Sequence, residues 1–244
     1  MVDRIVCRWS GAEPSEWCPD QINEIFAYDQ LPPDKNSDLW RRVKIDTWSG
    51  LLASPACGEF VEDRTVANLT DKWARKWLTE TGDGESWARD HGLDVPVKFL
   101  PERECRADDP KVLLAFANLS NGQTLTEPQQ DLFIVARGDN FKKFSVQYGI
   151  GEKPKEWKYL AKDVDREYKD AEKLVTWDLK DLPAGKVTLR LVATSSKGTT
   201  AKKQITIVLN LPTPTPTVTP TATATLEPTQ TPTVTPTQTS TPTP

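Results

Sequence analysis

The stretch Lys173–Leu209 constrains the fold most. Leu174, Thr176 and Asp178 alternate there with Val175, Trp177 and Leu179, and Val187, Leu189, Leu191 and Ala193 alternate with Thr188, Arg190, Val192 and Thr194. Successive side chains of a strand point to opposite faces, so a period of two rich in β-branched residues marks strands with one buried face. Asp181–Gly185 and Ser195–Thr199 supply turns. The same reading places strands at Val112–Ala117, Asp131–Ala136, Lys143–Tyr148 and Trp157–Ala161. Together with Leu174–Asp178, Lys186–Thr194 and Thr200–Leu209, they form the pattern of an immunoglobulin-like β-sandwich over residues 110–210. Trp157 and Trp177 are its expected core plugs, and Arg166–Glu172 reads as a solvated loop with one helical turn.

The chain before this sandwich has a different character. Residues 39–109 read as a small α+β, Trp-rich segment. It holds a strand at Val43–Trp48, a turn at Ser49–Pro55 and a helix at Thr70–Glu80. Thr70 is the expected N-cap, and Asp71 favours the positive end of the helix dipole. Gly82 and Gly84 are expected to stop that helix before a second one at Glu85–His91, and Phe99–Asp109 is a loop. Residues 1–38 are dominated by turn signals and read as an extended arm, with one or two helical turns at Gln21–Tyr28. Seven of the nine tryptophans precede residue 90. Trp9, Trp17, Trp73 and Trp77 are the candidate binding aromatics, because flat indole rings stack on sugars. The competing role is to supply buried area to a segment with little regular structure.

Four cysteines, Cys7, Cys18, Cys57 and Cys105, allow two disulfides in three pairings. Cys7–Cys18 with Cys57–Cys105 is favoured, and four reduced, partly buried thiols are the alternative. Each bridge would contribute about 3–4 kcal/mol, and Cys7–Cys18 would pin the arm. There is no C-x₂-C pair, and His91 is the only histidine, so no metal site is expected. Net charge is −4 with both signs mixed, which leaves no basic face for nucleic acid or an anionic membrane. No apolar run approaches the ~18–20 residues of a membrane span. Met1-Val2-Asp3-Arg4 is not a charged n-region followed by an apolar h-region, so no signal peptide is expected in this sequence. The motifs of serine, zinc and nucleotide chemistry are missing from the sequence, so neither enzymatic activity nor a cofactor is expected. Residues 211–244 change abruptly to Pro and Thr. They have too little apolar surface to offset chain entropy and are expected to be a disordered tail with polyproline II bias. At ~3.1 Å per residue this tail would reach about 100 Å.

Val6-Cys7-Arg8-Trp9-Ser10-Gly11, Glu13-Pro14-Ser15-Glu16-Trp17-Cys18-Pro19, Ile45-Asp46-Thr47-Trp48-Ser49-Gly50-Leu51, Ala53-Ser54-Pro55-Ala56-Cys57 and Pro101–Pro110 carry a resemblance. They are similar to the region that follows the transpeptidase domain in some class A penicillin-binding proteins. Residues 111–210 resemble bacterial immunoglobulin-like modules, through Tyr148–Trp157 and Leu182–Arg190. The resemblance implies a non-catalytic accessory region of a peptidoglycan synthase, since S-x-x-K, S-x-N and K-T-G do not occur. It implies an extracytoplasmic, cell-envelope location with the anchor in an upstream portion. The implied partners are the transpeptidase domain of a parent or neighbouring protein, and peptidoglycan or a wall protein. A free-standing glycan- or protein-binding module is the alternative.

Overall fold

In this computed structural model the alternating apolar residues meet as two facing sheets. The structure describes residues 1–212, which form one compact unit. The expected tail, 211–244, lies outside the described residues from 213 onward.

The first hairpin is β1 (Val2–Cys7) with β2 (Gln21–Phe26), and the second is β3 (Trp40–Asp46) with β4 (Val61–Ala67). Both are antiparallel two-stranded sheets. Helices α1 (Lys72–Glu80) and α2 (Gly82–Asp90) follow. The sandwich contains β5 (Val112–Phe116), β6 (Thr124–Leu125), β7 (Gln129–Gly138), β8 (Phe141–Ile150), β9 (Lys158–Val164), β10 (Tyr168–Asp178), β11 (Gly185–Ser195) and β12 (Thr200–Leu209). One sheet runs β10-β7-β5 and the other β6-β12-β11-β8-β9, with β6 parallel to β12 and the remaining pairs antiparallel. The immunoglobulin-like sandwich is therefore present. Its core takes Leu132, Ile134 and Ala136 from one layer, and Val187, Leu189, Leu191 and Ala193 from the other, all fully buried. At roughly 1.5–3 kcal/mol for each large apolar side chain, this interior dominates the stability of the sandwich.

Three local expectations are corrected. Gln21–Phe26 is a strand, because pairing with β1 satisfies its backbone where an isolated helical turn would not. Residues 168–172 extend β10 instead of looping. Tyr168 is buried and meets the Phe144 ring edge-on at 5.1 Å, and a bulge absorbs the polar residues after it. Trp177 is a core plug, but Trp157 lies outside the core, with the Arg190 guanidinium 3.8 Å from its ring centroid.

The two hairpins repeat one motif. Trp9-Ser10-Gly11, Ser15 and Cys18 recur at the same spacing as Trp48-Ser49-Gly50, Ser54 and Cys57. Their hydrogen bonds recur too. Cys7 N donates to Ala12 O and Asp46 N to Leu51 O, both at 2.9 Å, while Gly11 N and Gly50 N donate to Cys7 O and Asp46 O at 2.8 Å. Ser10 Oγ and Ser49 Oγ each accept from the amide two residues on, at 3.3 Å. Gly11 and Gly50 have φ of +64° and +75°, a region where a side chain is strained.

The copies differ at one decisive position. Cys7 closes its turn through Cys18, with the Cα atoms 5.9 Å apart. Asp46 stands in the equivalent place and closes its turn by accepting from Trp48 N (2.9 Å), Ser49 N (2.8 Å) and Gly58 N (3.1 Å). Cys57 is thereby free to bridge Cys105, 48 residues on, tying the second turn to the loop that leads into the sandwich. Trp48 enters the sandwich core together with Phe60. Its Nε1 donates to Asp139 O (3.0 Å), and its carbonyl accepts from Thr199 Oγ1 (2.7 Å).

Candidate functional site

The sequence places aromatics at i and i+4 on α1, and the fold extends them into a row. Asp71, one residue beyond the expected Thr70, caps α1 by accepting from Ala74 N at 2.7 Å. The expected stop at Gly82 and Gly84 is also corrected. Both glycines lie in the first turn of α2, with Thr81 as N-cap accepting from Gly84 N at 3.1 Å. Thr81 Oγ1 donates to Trp77 O (2.7 Å) at the end of α1, so one hydroxyl joins the two helices. A Cβ on Gly84 would overlap the Trp77 carbonyl. Only glycine lets the helices approach this closely.

That approach brings the rings together. Trp73 and Trp77 are parallel within 6°, with centroids 6.4 Å apart. Trp77 lies 5.8 Å from Trp87, which stacks on His91 at 4.4 Å. Trp9, from the first hairpin turn, meets both Trp87 and His91 edge-on at 5.2 Å. The row begins in solvent at Trp73 and runs on through partly covered rings to Trp9 and an exposed His91. Trp73 is 73% exposed, while Trp77, Trp87 and Trp9 are half-buried against Cys7, Leu78 and Ala88. Trp17 stands apart from the row. The Arg42 guanidinium lies 4.9 Å from its ring centroid, and Trp17 lines a separate groove of about 160 Å³ with Trp40 and Leu93. Of the four candidate binding aromatics, three therefore share one row and Trp73 alone is largely free.

A buried carboxylate braces each disulfide. Asp38 accepts from Ser10 Oγ (2.8 Å) and from the backbone and hydroxyl of Ser15. Burial alone would raise its pKa, but these hydrogen bonds outweigh it and hold the carboxyl below its ordinary value. Asp38 neighbours Cys7 and Cys18, and Asp46 neighbours Cys57 and Cys105. Both cysteine pairs are disulfides, so their sulfurs are unavailable as thiolate ligands, and the carboxylates are occupied by amides and hydroxyls. Disulfides form and persist in oxidising compartments, which places the folded chain outside the reducing cytosol. No helix among the described residues is long and apolar enough to cross a membrane.

Two features went unread in the sequence. The repeated Trp-Ser-Gly turn was visible there as a spacing. The surroundings of Arg190 were not, because they depend on strand register.

These features define a class: a disulfide-braced, mainly β protein joining a repeated-hairpin aromatic region to an immunoglobulin-like sandwich. No family model matches the chain, and no curated protein matches it. Among solved structures it is similar to the crystal structure of an engineered protein, with TM-score 0.31 and 15% identity over 45% of this chain. The match spans 21% of that chain, and a likeness this loose carries no functional meaning.

Proposed function

We propose that this chain is a non-catalytic accessory region of a peptidoglycan synthase of the penicillin-binding type. Its hairpin region packs on the transpeptidase domain, and its sandwich is presented to the wall or to a partner protein. One observation carries the reading. The β1–β2 sheet has two strands and no third among the described residues, and by register Ile5 and Ile25 share one of its faces. Both are exposed, as are Tyr28 and Leu31 just beyond. A lone two-stranded hairpin is marginal in water, and a cluster of exposed apolar side chains on it suits a docking face. The resemblance of residues 5–110 names the domain that would cover it.

Binding to a purified class A transpeptidase domain, followed by calorimetry, tests this. Saturable binding that Ile5→Asp with Ile25→Asp weakens at least tenfold is expected. A transpeptidase domain that ignores the intact chain sinks the proposal. The chain alone should remain unlabelled by a fluorescent penicillin.

The exposed Trp73, parallel to Trp77, favours a second reading in which the aromatic row stacks on glycan. Sedimentation with purified peptidoglycan distinguishes the two. Loss of co-sedimentation in Trp73→Ala, with binding to the transpeptidase domain retained, favours the glycan platform.

A further inference from the structure

The outer face of the five-stranded sheet carries an organised polar groove. Strand register sets its floor. Arg190 lies opposite Gln147 on one side and Gln204 on the other, and Val192 lies between Ser145 and Lys202. Tyr159 of β9 pairs with Gln147 and is half exposed. Glu62 and Arg64, from the second hairpin, form the facing wall. The open groove has a volume of about 410 Å³, enough for a few residues of peptide.

Arg190 is the best-prepared group in this groove. One face of its guanidinium stacks on Trp157, and its Nε donates to Gln147 Oε1, which fixes the plane of the fork. Among the described residues no carboxylate pairs with it, whereas Arg64 is paired with Glu62 and Lys203 with Glu59. Partial burial holds its pKa below the ordinary arginine value, opposed by the nearby Tyr159. The Nη groups are left for a planar, two-oxygen anion, the shape that arginine binds bidentately. Lys202 adds positive charge along the same face, and Ser145, Thr194 and Thr200 supply hydroxyls.

We propose that this groove binds the free carboxylate of a short peptide, with Arg190 as the fork and Trp157 as its backing plate. Resting on the proposed function, the peptide is a stem peptide of peptidoglycan. Its carboxylate meets the Arg190 Nη atoms, and its backbone lies along the hydroxyl-lined floor between β8 and β12.

The test titrates the intact chain with a soluble stem peptide bearing a free C-terminal carboxylate. The same peptide as its amide serves as the control. Tryptophan fluorescence reads the binding, since Trp157 lies against the fork. Saturable binding of the acid is expected, with the amide at least ~10-fold weaker, as loss of a charge-assisted hydrogen-bond pair requires. Arg190→Gln should remove the preference for acid over amide. Arg190→Lys, which keeps the charge but not the fork, should retain only part of it. Equal affinity for acid and amide in the unmodified chain overturns the site without recourse to any variant. An all-L peptide acid binding as tightly as the stem peptide overturns the assignment to wall peptide. Docking to a transpeptidase domain is read at Ile5 and Ile25, on a different surface, so failure there leaves this result interpretable.

Discussion

The sandwich and the hairpin–helix region reach order by different physics. The sandwich buries paired rows of aliphatic side chains between two layers, and Leu132, Ile134, Leu189 and Leu191 have no solvent exposure. The hairpin region has two sheets of two strands each, two nine-residue helices and a smaller buried cluster. In place of aliphatic layers it uses disulfides, buried carboxylates that organise turns, and indole rings. A sandwich tolerates changes on its outer face because the layers supply the stability. In the hairpin region each cross-link carries a larger share, so its exposed residues are free for contact only where they bear no brace.

The largest expected effect lies in the sandwich. Leu189→Ala should cost about 4 kcal/mol in chemical denaturation, since a fully buried leucine leaves a cavity between rigid layers. A cost below 1 kcal/mol would show that the layers are not tightly packed. Next, replacing Cys7 and Cys18 together by Ser should cost about 3 kcal/mol. Amide exchange should then rise in β1 and β2 while β11 and β12 stay protected. If exchange rises equally in both regions, the contrast between them is wrong.

Asp46→Ala should cost about 2 kcal/mol, because three backbone amides lose their shared acceptor. Its effect should spread into the sandwich through Trp48, whereas an Asp38→Ala change should stay within the hairpin region. Acid sharpens the same point. The Asp38 carboxyl is held below its ordinary value of 3.8, so its contribution to stability is complete above that value. It is lost as pH falls through the depressed folded value. Thermal melts between pH 5 and pH 2 should show the hairpin region loosening at the acid end, with a shallower dependence in Asp38→Asn. The smallest effect belongs to Trp73→Ala, expected within about 0.5 kcal/mol of the unmodified chain because the ring is largely in solvent. A larger loss would make Trp73 part of the scaffold and remove it as a glycan platform.

Much of the sandwich was legible because its signal is local. Val187, Leu189, Leu191 and Ala193 declare a buried face by alternation alone, and β12 runs over the residues expected of it. The hairpin region was less legible because its determinants are pairings. Nothing within Gln21–Phe26 distinguishes a helical turn from a strand until β1 lies beside it. Gly82 and Gly84 read as a helix stop, yet close packing on Trp77 requires Gly84 inside the next helix. The Arg190 groove gave no signal in one dimension. Its members Gln147, Tyr159, Arg190 and Lys202 come from four different strands, β8, β9, β11 and β12.

The amino-acid order by itself determined the alternating strands and the helix around Trp73 and Trp77, since each follows from neighbours within a few residues. Only the tertiary structure decided that Trp48 plugs the sandwich while its counterpart Trp9 joins a row of rings. The two turns share one hydrogen-bond pattern, and what differs is the surface that each turn is folded against. That surface is set by chain segments far away in sequence, which local propensity cannot sense.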